Sequence, residues 1–232
     1  MEEGKYPWIV HMQTGSGGSQ DKTWSCTGAL LDPTHVLTAA HCIIRSKFGK
    51  APGHDSDGNI FVLLGINNIA DGHGEDAHII ANVSDYALHP TWETLDMLGS
   101  DLAVLTLTSP VQYSDKVKPI CLPSNPGQNY VGKVAVASGF GADVDGFEQR
   151  NLMEINTTII TDEECSKTLY ETLKKVERTP DWITEDLIKK SFKTKLCTRG
   201  SPINNNPDVT TGGRPGDSGS ALNFKENGRF PI

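Results

Sequence analysis

Apolar runs in this chain are short, Ile60-Phe-Val-Leu-Leu64 among the longest, and Gly, Pro and Asn punctuate them. Runs of that length bounded by turn formers belong to strands in barrels or sandwiches, because a helix on a parallel sheet needs a longer periodic segment. They also fall far short of the roughly 20 consecutive apolar residues that a membrane-spanning helix requires. Strands are expected at Trp8 to Gln13, Thr27 to Leu31, His35 to Thr38, Phe61 to Gly65, Ile79 to Val83, Leu102 to Leu107, Val131 to Ser138, Met153 to Ile160 and Ser220 to Phe224. Asp101-Leu-Ala-Val-Leu-Thr-Leu107 reads as a strand buried on both faces with Asp101 at its edge. Gln112 to Pro119 reads as a linker between two β units, 5–115 and 116–232. Two stretches depart from the pattern. Cys165 to Phe192 favours helix, interrupted at Thr179-Pro180-Asp181, with acids before lysines over 162–175 as the helix dipole prefers, whereas Ser201-Pro-Ile-Asn-Asn-Asn-Pro207 is a polar loop with neither period.

The 232 residues carry 29 acidic and 21 basic side chains, a formal charge of −8. Such a surface offers nothing to neutralise phosphates, so nucleic acid and anionic membrane are excluded as partners. A charged share of 22% beside a hydrophobic share of 37% places the chain among globular proteins rather than disordered ones. Five cysteines, an odd count, fit two disulfides and a leftover thiol in an oxidising compartment. The opening Met1-Glu-Glu-Gly4 has neither the basic nor the apolar region of a secretion signal.

Three separated motifs carry complementary chemistry. Val36-Leu-Thr-Ala-Ala-His41-Cys42 ends a strand in small residues and a histidine, Ser100-Asp101 puts a carboxylate at a strand edge, and Gly216-Asp217-Ser218-Gly219-Ser220 flanks a serine with glycines. Taken singly, each has an ordinary structural reading: a histidine beside a disulfide, an exposed strand end, a turn. Taken together they form a chemical set. A serine hydroxyl is a weak nucleophile at neutral pH and needs a base, and a neutral imidazole titrates in the right range. The imidazole in turn needs a carboxylate to fix its tautomer and stabilise the imidazolium. His41, Asp101 and Ser218 are of those types, and the surrounding glycines let the amides of Gly216 and Ser218 approach a developing oxyanion.

Leu37-Thr-Ala-Ala-His-Cys42, Asp101-Leu-Ala-Val-Leu105 and Gly216-Asp-Ser-Gly219, in that order, resemble the chymotrypsin/trypsin-like serine protease family. Tyr6-Pro-Trp-Ile-Val10, Cys26-Thr-Gly-Ala-Leu30, His89-Pro90, Pro119-Ile-Cys-Leu-Pro123 and Ser138-Gly-Phe-Gly141 each resemble a family landmark in its expected place, so the resemblance covers nearly the whole chain. It implies an all-β fold of two antiparallel six-stranded β-barrels, with His41 and Asp101 from the first and Ser218 from the second meeting in the cleft. It further implies a secreted serine endopeptidase made as a zymogen, acting on polypeptides, open to protein inhibitors, and needing no metal or organic cofactor. Pairing of Cys26 with Cys42 and of Cys165 with Cys197 follows from the same resemblance and leaves Cys121 over. In relatives a cysteine in the Pro-Ile-Cys-Leu-Pro context commonly tethers an upstream propeptide or regulatory region; a free or intermolecular thiol is the alternative. Ala135 and Phe224 occupy two positions that are often bridged, and Arg214 stands where a cysteine usually precedes the nucleophile.

Departures from the family pattern set further expectations. In active members a freed Ile-Val-Gly-Gly-like terminus pairs with the aspartate before the nucleophile, here Asp217. Gly4-Lys-Tyr-Pro-Trp8 resembles a stretch soon after such a terminus, so the terminus is expected upstream of Met1, with Asp217 unpartnered and the activation region zymogen-like. Asn227-Gly-Arg-Phe230 resembles the hairpin leading into the family's Ser-Trp-Gly strand, so the second barrel is expected to be incomplete and the chain to be a piece of a longer protease. Gly212 takes the floor position of the specificity pocket; without a carboxylate there, a preference for Lys or Arg is disfavoured, and chymotrypsin-like and elastase-like choices stay open. Asp71-Gly-His-Gly-Glu-Asp76 lies where some relatives bind calcium, but Ile66 stands at the first ligand position, so a solvated loop is expected. His73 and His78 belong to no zinc pattern, and Asn82-Val-Ser84 and Asn156-Thr-Thr158 are glycosylation sequons. A second function stays open beside the enzyme: a protease-like binding or regulatory protein that keeps the barrels without turnover.

Overall fold

The computed structural model describes residues 4–15, 25–44, 59–69, 78–92, 100–125, 127–143, 145–147, 149–175, 183–192, 195–203 and 206–224. The acidic segment 71–76, His73, Thr179 to Asp181 and Asn227 to Phe230 lie outside the described residues. Six antiparallel strands, β1 (Ile9–Gly15), β2 (Ser25–Asp32), β3 (His35–Thr38), β4 (Asn59–Leu64), β5 (Ile79–Leu88) and β6 (Ala103–Leu107), close a barrel in the order β1-β2-β3-β6-β5-β4. Val10, Met12, Leu30, Val36, Val62, Leu64 and Leu105 are fully buried in its core.

The expectation that the Asp101 strand is buried on both faces is corrected. In β6 Ala103, Leu105 and Leu107 are buried while Val104 and Thr106 are partly exposed, because a barrel wall has one inner and one outer face. The doubly buried strand is β1 instead. His11 and Gln13, on its outer face, are sealed by the second unit: the His11 ring meets Phe140 edge-on at 5.1 Å, and the Gln13 amide donates to His11 Nε2 at 3.0 Å.

The segment read as a linker is a strap across the barrel. Val111 N–H donates to Pro33 O at 2.8 Å, Lys118 N–H to Pro7 O at 2.9 Å and Ile120 N–H to Leu30 O at 2.9 Å, while Val111, Val117 and Ile120 enter the core. Its polar composition masked the one apolar anchor within it, Val117, which Val111 and Ile120 flank on either side.

In the second unit β7 (Val134–Gly139), β8 (Met153–Ile160), β9 (Cys197–Gly200) and β12 (Leu222–Asn223) form an antiparallel sheet in the order β12-β7-β8-β9, and β10 (Pro202–Ile203) pairs with β11 (Asn206–Thr210). Among the described residues this sheet is open rather than a barrel. The stretch 201–207, read as a plain loop, thus holds paired strand residues at Pro202–Ile203 and from Asn206 onward; strands this short write no apolar alternation. β9 escapes sequence reading for the same reason, since Cys197-Thr-Arg-Gly200 is an edge strand without an apolar period. Ala135 and Phe224, at the two often-bridged positions, share a small apolar cluster with Ile159, and Tyr130 stacks on Phe224 at 4.5 Å.

The helical stretch divides into α1 (Asp162–Lys174) and α2 (Glu185–Ser191). Thr161 and Thr184 cap them, their hydroxyls accepting the Glu164 and Leu187 amides at 3.1 and 3.2 Å. Glu164 of α1 pairs with Arg199 of β9 beside the Cys165–Cys197 disulfide, so two cross-links fix α1 to the sheet edge. Near the start of β8 Lys5 donates to both oxygens of Glu154, at 2.8 and 2.6 Å, and the Tyr6 hydroxyl donates to the same carboxylate at 2.6 Å. Burial first, then the hydrogen bond to Glu154 and its charge, push the Tyr6 phenol far above its ordinary pKa, so it remains a donor.

Candidate active site

β3 and β6 are antiparallel neighbours with Thr38 opposite Ala103. The chain leaves β3 just after Thr38 and enters β6 just before Ala103, so His41 and Asp101 emerge at the same end of adjacent strands. The small residues Ala39 and Ala40 sink into the core and the 3-10 turn Ala40–Cys42 swings His41 outward. Asp101 then grips the histidine twice: Oδ2 lies 2.6 Å from His41 Nδ1, and Oδ1 accepts the His41 backbone N–H at 2.9 Å. Partial burial pushes the Asp101 carboxyl upward, but the ring and backbone hydrogen bonds from His41, its charge when protonated and the Ala40 amide outweigh it, and the pKa lies below the ordinary value. With Nδ1–H committed to the carboxylate, the other nitrogen, Nε2, presents its lone pair.

A depressed folded-state pKa has a fixed sign in stability. The contribution of Asp101 is fully present above the ordinary carboxylate pKa near 4 and is lost as pH falls through the lower folded value. Urea midpoints followed from about pH 5 to about pH 2 are expected to fall more steeply for the parent chain than for Asp101→Asn.

The serine loop comes from the second unit and docks on β2. Thr27 donates its amide to Ser218 O at 2.8 Å and its hydroxyl to Gly216 O at 2.9 Å, and Thr38 Oγ1 donates to Thr27 O at 2.9 Å. Cys26, the preceding residue, forms the disulfide with Cys42 next to His41, and Cys42 Sγ lies 3.6 Å from Ser218 O. From the other side Ser220 Oγ donates to Ser138 O at 2.5 Å, and the Ala142 amide to Pro215 O at 2.8 Å. Gly216 and Gly219 have φ of 101° and 85°, which favour glycine. Among the described residues neither the Gly216 nor the Ser218 amide donates to a protein acceptor, and no hydrogen bond joins Ser218 Oγ to His41. Catalytic hydrogen bonds often tighten only once substrate is bound.

Asp217 is partly exposed rather than an isolated buried charge. Its oxygens accept the Gly141 amide at 2.8 Å and the Arg214 amide at 2.9 Å, so backbone dipoles solvate it. Gly212 is exposed at the rim of a cavity of about 840 Å³ under the second sheet. Cys121 is a free, exposed thiol. Ligand atoms of Cys26, His41 and Cys42 lie within 4.8 Å of one another, but both sulfurs are in a disulfide and offer no thiolate to a metal. Ile66 is buried in the core, which leaves it no role as a ligand. Thr27 is the residue that sequence reading missed. Its one signal was a buried polar side chain directly after a bridged cysteine.

Replacing both Cys26 and Cys42 by Ser opens a loop of 16 residues. The expected cost is about 3 kcal/mol, read by calorimetry as a melting temperature about 6–12 °C lower.

A closed six-stranded barrel joined to a second sheet, with histidine, carboxylate and serine loop at the junction, defines a trypsin-like β protein. The family model described as Trypsin matches residues 1–228, and the chain belongs to that family. It is similar to the clotting factor G beta subunit of Tachypleus tridentatus, 29% identical over 194 residues, which cover 81% of this chain and 56% of that protein. It is also similar to two proteins of Mus musculus: ovochymase-2, 29% identical over 228 residues (96% of this chain, 31% of that protein), and mannan-binding lectin serine protease 1, 28% identical over 192 residues (81% and 25%). The matches thus span only 25% to 56% of the length of these relatives.

Proposed function

We propose that this chain is the catalytic part of a secreted serine endopeptidase made as a zymogen. Ser218 Oγ attacks the scissile carbonyl carbon as its proton passes to His41 Nε2, and Asp101 keeps the imidazole in the required tautomer. The amides of Gly216 and Ser218 stabilise the oxyanion. His41 then gives its proton to the leaving amine, and water releases the acyl group by the reverse path. The two-point contact of Asp101 with His41, at 2.6 and 2.9 Å, is the observation that carries this reading. Gly212 lies at the floor of the specificity pocket, and Asp217 receives the ammonium of a terminus freed by cleavage upstream. Cys121 tethers an upstream propeptide or regulatory region. The barrel unit 5–115 and the unit 116–232 are the two halves of the cleft, which takes polypeptide substrates and protein inhibitors.

Two disulfides support an oxidising compartment, and no described helix is long and apolar enough to cross a membrane. Asn82 and Asn156 of the two sequons are exposed, which suits glycan attachment. The test is a fluorophosphonate probe on the naturally processed protein. Labelling at Ser218 that disappears in Ser218→Ala is the expected result. No labelling after processing would leave the competing reading, a protease-like binding protein without turnover.

A further inference from the structure

The serine loop runs through four consecutive peptide planes, and each is held by its carbonyl oxygen. Pro215 O accepts the Ala142 amide at 2.8 Å, Gly216 O the Thr27 hydroxyl at 2.9 Å, Asp217 O the Ser220 amide at 3.0 Å and Ser218 O the Thr27 amide at 2.8 Å. Three of these donors are backbone amides, which any residue but proline supplies. The fourth is the side chain of Thr27, so this hold alone depends on which residue stands at position 27.

In a trans peptide the N–H points opposite the C=O. Holding Pro215 O and Asp217 O therefore turns the Gly216 and Ser218 amides away from those contacts. Gly216 is the loosest joint between the two. It lacks a Cβ and has φ of 101°, so the plane that carries its amide and the plane that carries its carbonyl can turn against each other at little steric cost. With Pro215 O held on one side and Gly216 O on the other, both dihedrals are set and the amide has one direction. The Gly216–Asp217 plane has a second tie, the Asp217 amide to Arg214 O at 2.9 Å, but that bond stays within the loop. The Thr27 hydroxyl is what refers the plane to the barrel that carries His41.

Thr27 is built for such a task. It is fully buried, so water does not compete for its hydroxyl, and its β-branch restricts χ1. Its own carbonyl accepts Thr38 Oγ1 at 2.9 Å, and Thr38 ends β3, the strand that leads to His41. Resting on the endopeptidase reading, we propose that Thr27 Oγ1 is a positioning group for the oxyanion hole: by fixing the Gly216 carbonyl it aims the Gly216 amide, beside that of Ser218, at the oxygen that gathers charge during attack. It acts through Gly216 and touches no substrate atom. Because that charge develops only as Ser218 attacks, the hydroxyl stabilises the transition state more than the bound substrate.

The test uses the processed protein with Thr27→Val, which keeps the branched shape and loses the donor, and Thr27→Ser, which keeps the donor. In Thr27→Val kcat is expected to fall about tenfold to a hundredfold with KM within about twofold of the parent, a smaller loss than removal of a whole oxyanion donor. A peptide aldehyde, whose hemiacetal oxygen takes the same place, is expected to bind more weakly by a similar factor, while the product peptide binds as before. Thr27→Ser is expected to recover most of both losses. A parent-like kcat in Thr27→Val, a loss that Thr27→Ser shares in full, or equal weakening of aldehyde and product peptide overturns the inference and leaves the endopeptidase reading standing. If the parent neither cleaves peptides nor takes the fluorophosphonate, the endopeptidase reading falls, and amide NMR decides the rest. Gly216 and Ser218 resonances displaced in Thr27→Val and parent-like in Thr27→Ser would keep the aimed amides, whereas unmoved resonances would overturn them. Should Thr27→Val fail to fold, Thr27→Ala takes its place in each comparison with Thr27→Ser.

Discussion

An Asp101→Asn chain is expected to turn over peptide substrates about four orders of magnitude more slowly than the parent while keeping its fold. The reason lies in the two-point contact. The oxygen that accepts the His41 backbone N–H at 2.9 Å cannot be replaced by an NH2 group, so the asparagine must keep its oxygen there. Its NH2 then faces Nδ1, where Oδ2 now lies 2.6 Å away. An NH2 group donates, so Nδ1 must become the acceptor and the ring proton moves to Nε2. The histidine now points a proton at Ser218 instead of a lone pair. Burial at this position is only partial, so the amide is tolerated and the melting temperature changes little. Steady-state kinetics beside a thermal melt check both halves, and parent-like turnover would remove Asp101 from the mechanism.

Gly219→Ala is expected to displace the serine loop, with turnover lower by at least about a hundredfold. The chain has φ of 85° there, a conformation that costs an alanine about 1–2 kcal/mol. The added carbon would also overlap Thr27 O and Thr38 Oγ1 and come within 3.0 Å of the Ala39 amide nitrogen. Those atoms are the acceptor and donor of the bond that orders Thr27 beneath Ser218. Relieving the overlap must move either the loop or the β2–β3 pair, and the total cost is about 2–4 kcal/mol. Calorimetry and fluorophosphonate labelling rates read the two effects separately. A stable variant labelled at the parent rate would show that the loop is not seated through Gly219.

The parts of this site that were legible in the sequence were those whose residue types carry chemistry. His41, Asp101 and Ser218 stand out because a hydroxyl nucleophile needs a base and the base needs a carboxylate. The meeting of His41 and Asp101 was not legible from periodicity, since it depends on the Thr38–Ala103 register of two strands separated by 64 residues. Thr27 was hidden because nothing in Ser25-Cys-Thr-Gly-Ala-Leu-Leu-Asp32 sets one threonine apart from any polar strand residue. The staple from Lys5 to Glu154 joins residues 149 positions apart and leaves no local trace. The strands that escaped notice, β9 to β11, are only two to five residues long and write no alternating pattern. The packing of the segment 112–119 on the barrel was hidden because its polar composition holds a single buried apolar anchor, Val117.

Cys26 and Thr27 are consecutive residues of one strand, the first tied to the turn that bears His41 and the second to the carbonyl of Ser218. A single dipeptide is therefore the common abutment of both halves of the cleft. A displacement of β2 would carry the turn that bears His41 and the loop that bears Ser218 together. Grafting new binding loops onto this scaffold should preserve the placement of the His41 turn against the Ser218 loop for as long as that dipeptide and its two ties are left intact.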